Sequence, residues 1–338
     1  MRKVLILTGD AMVSARQTIN GGGTSDDGRY RFFINKIDET PDFIVVKGKG
    51  IDAEKYVDVP KERTMLVTCE PYGIIGYPRG YCDQFGTVLS CQPELKVSAT
   101  SATRLVNTPA VLPWYAGAVF RNGKGVPTMN REDLQRATPE KTKFMSVITT
   151  KKAFTKGHVD RLRFIKKLKE YYGDKVDIYG YGFKDFEDKW EVIAPYKYHI
   201  VIENSTCDFY WTEKLADCYL GGAYPLYHGC TNISDYFLQG SFLPVDIRDF
   251  NGFVKAVERA EREQLFESSG ELLSQAKQLV LGKHNMFNII AAAFDAIEDT
   301  AVAGKTLLKP ASAFFSWHNL YLHLVEWGYY KFLSKYFV

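Results

Sequence analysis

Six cysteines, Cys69, Cys82, Cys91, Cys207, Cys218 and Cys230, are scattered along the chain with no C-x-x-C and no paired Cys/His spacing. That lack excludes the usual zinc modules, and the six read as reduced thiols of a cytosolic protein. Net charge is equally scarce. Forty-three Lys and Arg against 40 Asp and Glu leave +3, too little to argue for nucleic acid, and no RNP-type or zinc-finger pattern occurs. Long apolar runs are missing at the start of the chain, where MRKVLILTGD holds only a short one next to charge. It is too brief for a secretory signal or a membrane span and reads as the first strand of an α/β domain.

What is present suits a two-domain globular protein. At 338 residues the chain is long for one core and comfortable for two domains of about 130 to 170 residues each. An apolar share of 46% and a charged share of 25% are ordinary. Aromatics are enriched at 14%, with 21 tyrosines, which suits a carbohydrate-handling cleft and equally many cores. Strands are predicted over residues 4–7, 43–46 and 66–68, and a helix over 32–37. Residues 73–100, rich in Gly, Tyr and Pro, read as irregular binding loops. Residues 121–143 read as a linker, after which strand and helix alternate through Phe250 and helix continues to about Asp299.

Most of the chemistry lies between residues 196 and 231. An apolar strand, 198–202, runs into Glu203-Asn204-Ser205, and eight residues after Ser205 the pair Glu213-Lys214 opens an amphipathic helix that ends at Gly221-Gly222. A second apolar run, 223–227, closes at His228-Gly229. In open parallel sheets ligands bind beyond the carboxyl ends of the strands, and a helix N-terminus there favours anions. The pattern therefore points to a phosphate-bearing ligand, with lysine on phosphate oxygens and glutamate accepting from sugar hydroxyls. A helix start capped by Thr212 beside a solvated ion pair would give the same triplet. A second block, 144–180, reads as strand, basic loop, helix and strand. Its helix has apolar positions Leu162, Phe164, Ile165 and Leu168 and a solvated face bearing Lys166, Lys167 and Lys169.

ENS followed at fixed spacing by Tyr210, Thr212, Glu213 and Lys214, then a helix, a small-residue turn and a P-x-x-x-G strand end, resembles the donor-binding motif of the α1,3/4-fucosyltransferases. These form glycosyltransferase family 10, here in its bacterial type. The resemblance implies a GT-B fold of α/β class: two Rossmann-like domains facing each other across a cleft, plus a C-terminal helical tail. Residues 1–135 would bind acceptor, 136–300 would bind the nucleotide sugar, and 301–338 would form the aromatic-rich tail. The implied activity is that of an inverting hexosyltransferase. It would move L-fucose from GDP-fucose to a hydroxyl of a glycan containing galactose or N-acetylglucosamine, in α1,3 or α1,4 linkage, in surface polysaccharide or lipopolysaccharide synthesis. No Asp-x-Asp triplet, the metal-diphosphate anchor of the other common glycosyltransferase architecture, occurs in the chain. Protein cations are therefore expected at the diphosphate, with no obligatory metal and no further cofactor.

The resemblance also assigns roles. Arg161, matched by its spacing to Phe164, Ile165 and Leu168, and Lys214 would stabilise the departing diphosphate. Arg163 lies two residues on and points elsewhere on a helix. Asn204 and Tyr210 would hydrogen-bond the donor, with Glu203 and Ser205 orienting Asn204. Glu213 would bind donor hydroxyls and favour the positive charge that develops nearby. Glu70, in LVTCEP, would be the general base, with Glu94 and Asp83 as the other carboxylates of that region. Two neighbours of Tyr210 depart from the family pattern: Trp211 stands where relatives carry Ile or Val, and Phe209 where animal members carry Asp.

Other features have plainer readings. Ile19-Asn20-Gly21-Gly22-Gly23 lacks the Lys-Ser/Thr ending of a phosphate loop and reads as a loop at the cleft. His318 and His323 are five apart, the wrong spacing for shared metal ligation on a helix. Ten of residues 311–338 are aromatic, with Lys331 and Lys335 against Glu326. An interfacial membrane helix and a helix packed back across the first domain both fit that composition. Peripheral contact with the inner face of the membrane is one expectation for an otherwise cytoplasmic enzyme. A transferase of the same fold using another nucleotide sugar, and a catalytically silent glycan-binding relative, stay open. The presence of Arg161, Glu213 and Lys214 together argues against the second.

Overall fold

Two parallel sheets organise the chain in its computed structural model, which describes residues 1–151, 156–297 and 303–314. The first sheet contains β1 (Arg2–Leu7), β2 (Tyr30–Ile34), β3 (Phe43–Lys47), β4 (Thr64–Val67), β5 (Thr87–Ser90) and β6 (Arg104–Asn107), in the spatial order β2-β1-β3-β4-β5-β6. The second contains β7 (Lys143–Ile148), β8 (Val176–Tyr179), β9 (Tyr196–Ile202), β10 (Tyr224–His228) and β11 (Leu243–Pro244), in the order β8-β7-β9-β10-β11. Every pairing within both sheets is parallel. Parallel sheets are covered on both faces, so their central strands read as unbroken apolar runs. β3 (FIVVK) and β4 (TMLV) are accordingly buried along their whole length. These two units facing each other across a cleft are the expected GT-B arrangement.

In each sheet the strand order reverses beside its first strand, between β1 and β3 and between β7 and β9. Such switch points open a crevice at the carboxyl ends of the strands. In the first sheet the residues that follow β1 and end β3 are joined there by an ion pair, Lys47 Nζ to Asp10 Oδ2 at 2.9 Å, with both groups largely buried. In the second the crevice is lined by the residues that follow Ile148 and Ile202.

Five helices matter for the site and its support: α1 (Lys156–Tyr172), α2 (Glu213–Leu220), α3 (Phe250–Arg262), α4 (Gly270–Leu281) and α5 (Met286–Asp295). The apolar side of α1, Leu162, Phe164, Ile165 and Leu168, is buried against the second sheet. Thr212 caps α2 by accepting from the Lys214 N–H. Gly222, at φ 65°, turns the chain out of that helix into β10. α5 belongs elsewhere. Met286, Phe287, Ile290 and Phe294 pack on the first sheet against Ile6, Phe32, Phe43 and Val45, although the second sheet lies between them in sequence. The Phe287 and Phe32 rings lie 5.0 Å apart. Phe287→Ala is therefore expected to destabilise the protein by about 3 to 5 kcal/mol. A urea midpoint within error of the parent would refute that placement.

Several elements differ from the sequence reading. The expected helix over 32–37 is strand β2, paired in register with β1. A short apolar run does not fix helix against strand, and here the backbone of β1 supplies the partner. Asn35, at φ 60°, ends it and bonds Thr8 through both atoms of its amide, accepting from the N–H at 2.8 Å and donating to the carbonyl at 2.9 Å. The irregular stretch 73–100 contains a single helical turn, Arg79–Cys82, and the fully buried strand β5. The supposed linker is structured as well. Asn122 and Gly123, both with positive φ, turn a hairpin of Ala118–Arg121 and Lys124–Pro127, the backbone signature of a tight two-residue connection. Asn130 and Asp133 then form a capping box on the helix Arg131–Arg136.

The Ile19–Gly21 segment is a 3-10 turn whose Asn20 N–H donates to Glu132 at 2.8 Å. Residues 303–314, expected to open a helical tail, form the strand Thr306–Leu308, paired with Lys55–Val57, and one 3-10 turn. The aromatic and basic stretch beyond, with His318, His323, Glu326, Lys331 and Lys335, lies outside the described residues. Among those described, no helix is long and apolar enough to cross a membrane. All six cysteines are free.

Candidate active site

Arg161 sits near the start of α1 with its side chain turned inward, and it is almost wholly buried. Its Nη1 donates to Asn204 Oδ1 at 3.3 Å and its Nη2 to the Thr150 carbonyl at 3.5 Å. Those acceptors follow β9 and β7, so the guanidinium lies across the switch point of the second sheet. Burial brings its pKa down to about 10, which leaves it cationic at neutral pH. Arg163, two residues on, is exposed and pairs with Asp160 at 3.6 Å. Helix geometry separates the two arginines as their spacing requires.

Glu203 leaves the end of β9 and folds under α2. Its carboxylate accepts from the Thr212 N–H at 2.8 Å, the Thr212 hydroxyl at 2.7 Å and Lys214 Nζ at 3.1 Å. It therefore fixes the helix start and the lysine together. Ionic contacts continue from there. Glu213 lies 3.2 Å from Lys189 Nζ and 3.9 Å from Lys214 Nζ. Burial alone would raise the Glu213 carboxyl, but the two lysines outweigh it and hold the group down at about 2. Lys214 is raised above the usual lysine range despite burial, because Glu203, Glu213 and Glu70 surround it.

Glu70 comes from the opposite unit, three residues beyond β4. Its carboxylate accepts from the Tyr210 hydroxyl at 3.2 Å, a contact from the first unit to the loop after β9. Its backbone carbonyl is held by Gln92 Nε2 at 2.7 Å. Burial raises the Glu70 carboxyl above the ordinary range, and Lys214 offsets only part of that. Tyr210 is completely buried against Cys91 and Ala110 of the first unit.

These groups share one cavity of about 590 Å³ between the units, lined by Glu70, Arg161, Asn204, Tyr210, Glu213 and Lys214 among others. All six anticipated site residues meet in it. Glu94, Asp83, Arg163 and the Ile19–Gly23 turn do not line it. Asp83 is instead engaged by the Ser98 N–H at 2.7 Å. Ser205 faces an adjoining cavity of about 250 Å³ with Lys156, His228 and Arg248.

The lining residues that were not anticipated include Lys189, Asp217, Tyr115 and His158. Burial, with Arg161 and Lys214 nearby, lowers the His158 imidazole to about 4 and keeps it neutral. Lys189 and Asp217 are charges whose role exists only in three dimensions. Among the described residues, no group of three His, Cys, Asp or Glu is placed to hold a metal ion.

Two facing parallel α/β units, with cations at the strand ends of one and a buried carboxylate at a strand end of the other, define a GT-B-type protein. Residues 138–263 match "Glycosyltransferase family 10 (fucosyltransferase) C-term", so the second unit of the chain is similar to the C-terminal part of that family. A stretch of 79 residues is 33% identical to the alpha-(1,3)-fucosyltransferase FucT of Helicobacter pylori, covering 23% of this chain and 16% of that protein. The match thus spans about a sixth of that relative's length. Among solved structures, an alpha1,3-fucosyltransferase with GDP-fucose is 17% identical, with a TM-score of 0.48 over 89% of this chain and 92% of that one. An E. coli trehalose-6-phosphate enzyme bound with UDP-2-fluoro glucose is 9% identical, with a TM-score of 0.49 over 79% of this chain and 75% of that one.

Proposed function

We propose that the chain transfers L-fucose from GDP-fucose, with inversion, to a hydroxyl of a glycan containing galactose or N-acetylglucosamine. One observation carries the reading. Glu70 of the first unit touches Tyr210 of the second in the cavity that also holds Arg161 and Lys214. A base and a diphosphate grip thus face each other across one space.

In the proposed step Glu70 removes the acceptor hydroxyl proton, and the acceptor oxygen bonds to the anomeric carbon as the carbon–oxygen bond to GDP breaks. The electron pair of that bond goes to the diphosphate, where Arg161 and Lys214 stabilise it. Glu213, held ionised, accepts from donor hydroxyls and favours the oxocarbenium charge. Asn204, fixed by Arg161, and Tyr210, fixed by Glu70, orient the donor. A base whose carboxyl is raised by burial suits proton abstraction near neutral pH. In this reading the first unit binds acceptor and the second binds donor. Surface polysaccharide or lipopolysaccharide is the proposed acceptor class, on the family resemblance. The six free thiols support a cytoplasmic setting.

Calorimetric titration with GDP, UDP, GDP-fucose and GDP-mannose in EDTA tests the donor. Binding of GDP and GDP-fucose is expected, with loss of both in Arg161→Ala; preference for UDP or GDP-mannose would assign the cleft to another nucleotide sugar. Turnover is expected to survive EDTA, since two protein cations serve the diphosphate. Complete loss restored by Mn²⁺ would contradict that arrangement.

A further inference from the structure

Lys189 lies in the turn before β9, within the charge-rich run Lys184 to Glu191. In the fold its side chain is largely buried, and its ammonium joins two carboxylates of α2: Asp217 at 2.9 Å and Glu213 at 3.2 Å. Asp217 is wholly buried. Its Oδ1 accepts from the backbone N–H groups of Tyr115 and Ala116, each at 2.9 Å. The neighbouring Asp188 accepts from the Gly117 N–H at 2.9 Å and the Trp190 N–H at 2.9 Å. The Lys189 ammonium also sits 4.6 Å from the centre of the Tyr115 ring. Residues 115–117 follow the last strand of the first sheet, and Arg16 holds the same segment from the other side through the Trp114 and Ala116 carbonyls at 2.7 and 3.2 Å.

We propose that Lys189 is a positioning residue of the donor site: it fixes the Glu213 carboxylate at the cavity wall and, through Asp217, ties it to the 115–117 segment that borders the first unit. The proposal rests on the fucosyl-transfer reading above. Glu213 is one residue from the cation assigned to the diphosphate, and two lysines compete for it. Lys214 is 3.9 Å from Glu213 and is already engaged at 3.1 Å by Glu203. Lys189 is closer, and the Asp217 latch holds it. Without it, Glu213 would face Lys214 alone, with Glu203, Asp217 and Glu70 as the other carboxyls around the site, and its carboxyl would rise. The donor sugar would lose a fixed acceptor, whereas the diphosphate grip of Arg161 and Lys214 would remain.

The test separates these effects. Lys189→Met alone leaves Asp217 buried without its cation, a destabilising change. The informative variant is therefore Lys189→Met with Asp217→Asn, which removes both charges and keeps an oxygen for the Tyr115 and Ala116 N–H groups. Both it and the parent carry Glu70→Gln, which takes one further carboxyl out of the cleft, and Glu203 is common to both. GDP and GDP-fucose affinities are measured by calorimetry from pH 4 to pH 8. In the parent, the ratio of the two affinities is expected to change only as the terminal phosphate of GDP takes its second ionisation at about pH 6, and that profile is the reference for the variant. In the variant, GDP affinity is expected to stay at the parent's value at each pH while GDP-fucose affinity falls about tenfold and weakens further toward the acid end of the range, as Glu213 protonates. Lys189→Arg is expected to restore the parent ratio in part.

A ratio with the parent's value and pH profile in the folded variant would overturn the role of Lys189 and leave the fucosyl-transfer reading standing. Equal loss of GDP and GDP-fucose would likewise overturn it, marking Lys189 as structural or as a diphosphate ligand. Failure of the unsubstituted protein to bind either nucleotide would instead remove the donor reading, and this inference with it.

Discussion

Lys214→Ala is expected to lower kcat/KM for GDP-fucose by about a hundredfold or more. The ammonium stands at the start of α2, where the helix dipole already favours an anion, and it is held in place rather than left mobile. Glu203 grips it at 3.1 Å, and the Thr212 hydroxyl lies at the same distance. A preorganised cation of this kind stabilises the leaving diphosphate without reorganising as the bond breaks. Removing it costs more than one charge, because Glu203 stays buried with only Thr212 to satisfy it. Thermal melting of the variant checks that the fold survives. Turnover near that of the parent, in folded protein, would remove Lys214 from the diphosphate grip.

Glu70→Gln is expected to cut transfer by about a hundredfold to ten-thousandfold while leaving donor affinity intact. The amide keeps the shape of the carboxylate and can still accept from Tyr210, so the contact between units persists while the base is lost. Loss of GDP-fucose affinity in this variant would move Glu70 from the base role to donor binding. The pH dependence follows from the same group. Its folded pKa is raised above the ordinary carboxylate value. A base must be ionised, so activity is present above that raised pKa and is lost as pH falls through it. The parent should therefore show an acid limb above the usual carboxylate range, and an acid limb at or below the ordinary carboxylate value would contradict the assignment.

The site was legible in sequence to the extent that it is local. ENS, Tyr210 and the Thr212-Glu213-Lys214 triplet lie on one strand, loop and helix, and their spacing fixes their relation before any tertiary contact forms. Arg161 was legible for a similar reason, since the apolar spacing of its helix sets which arginine faces inward. Glu70 needed the resemblance as well, because nothing in LVTCEP says which unit it will face. Lys189 and Asp217 were out of reach. The first lies among charges that look solvated, and the second occupies a helix interior where an aspartate usually points to water. Their burial comes from the approach of residues 115–117, a contact about a hundred positions away in sequence for Asp217. β2 and β5 were missed because strands this short take their identity from neighbours. Capping and turn chemistry explain the structure found at 118–136, where charges and glycines resembled a linker.

The placement of α5 has a consequence for synthesis of the chain. A ribosome that has completed β6 has released all six strands of the first sheet but not the helix that covers one side of it. Ile6, Phe32, Phe43 and Val45 wait for Met286, Phe287, Ile290 and Phe294, which are translated only after the entire second sheet. The unit made first is thus finished last, and during elongation its apolar face is open to chaperones and to wrong partners.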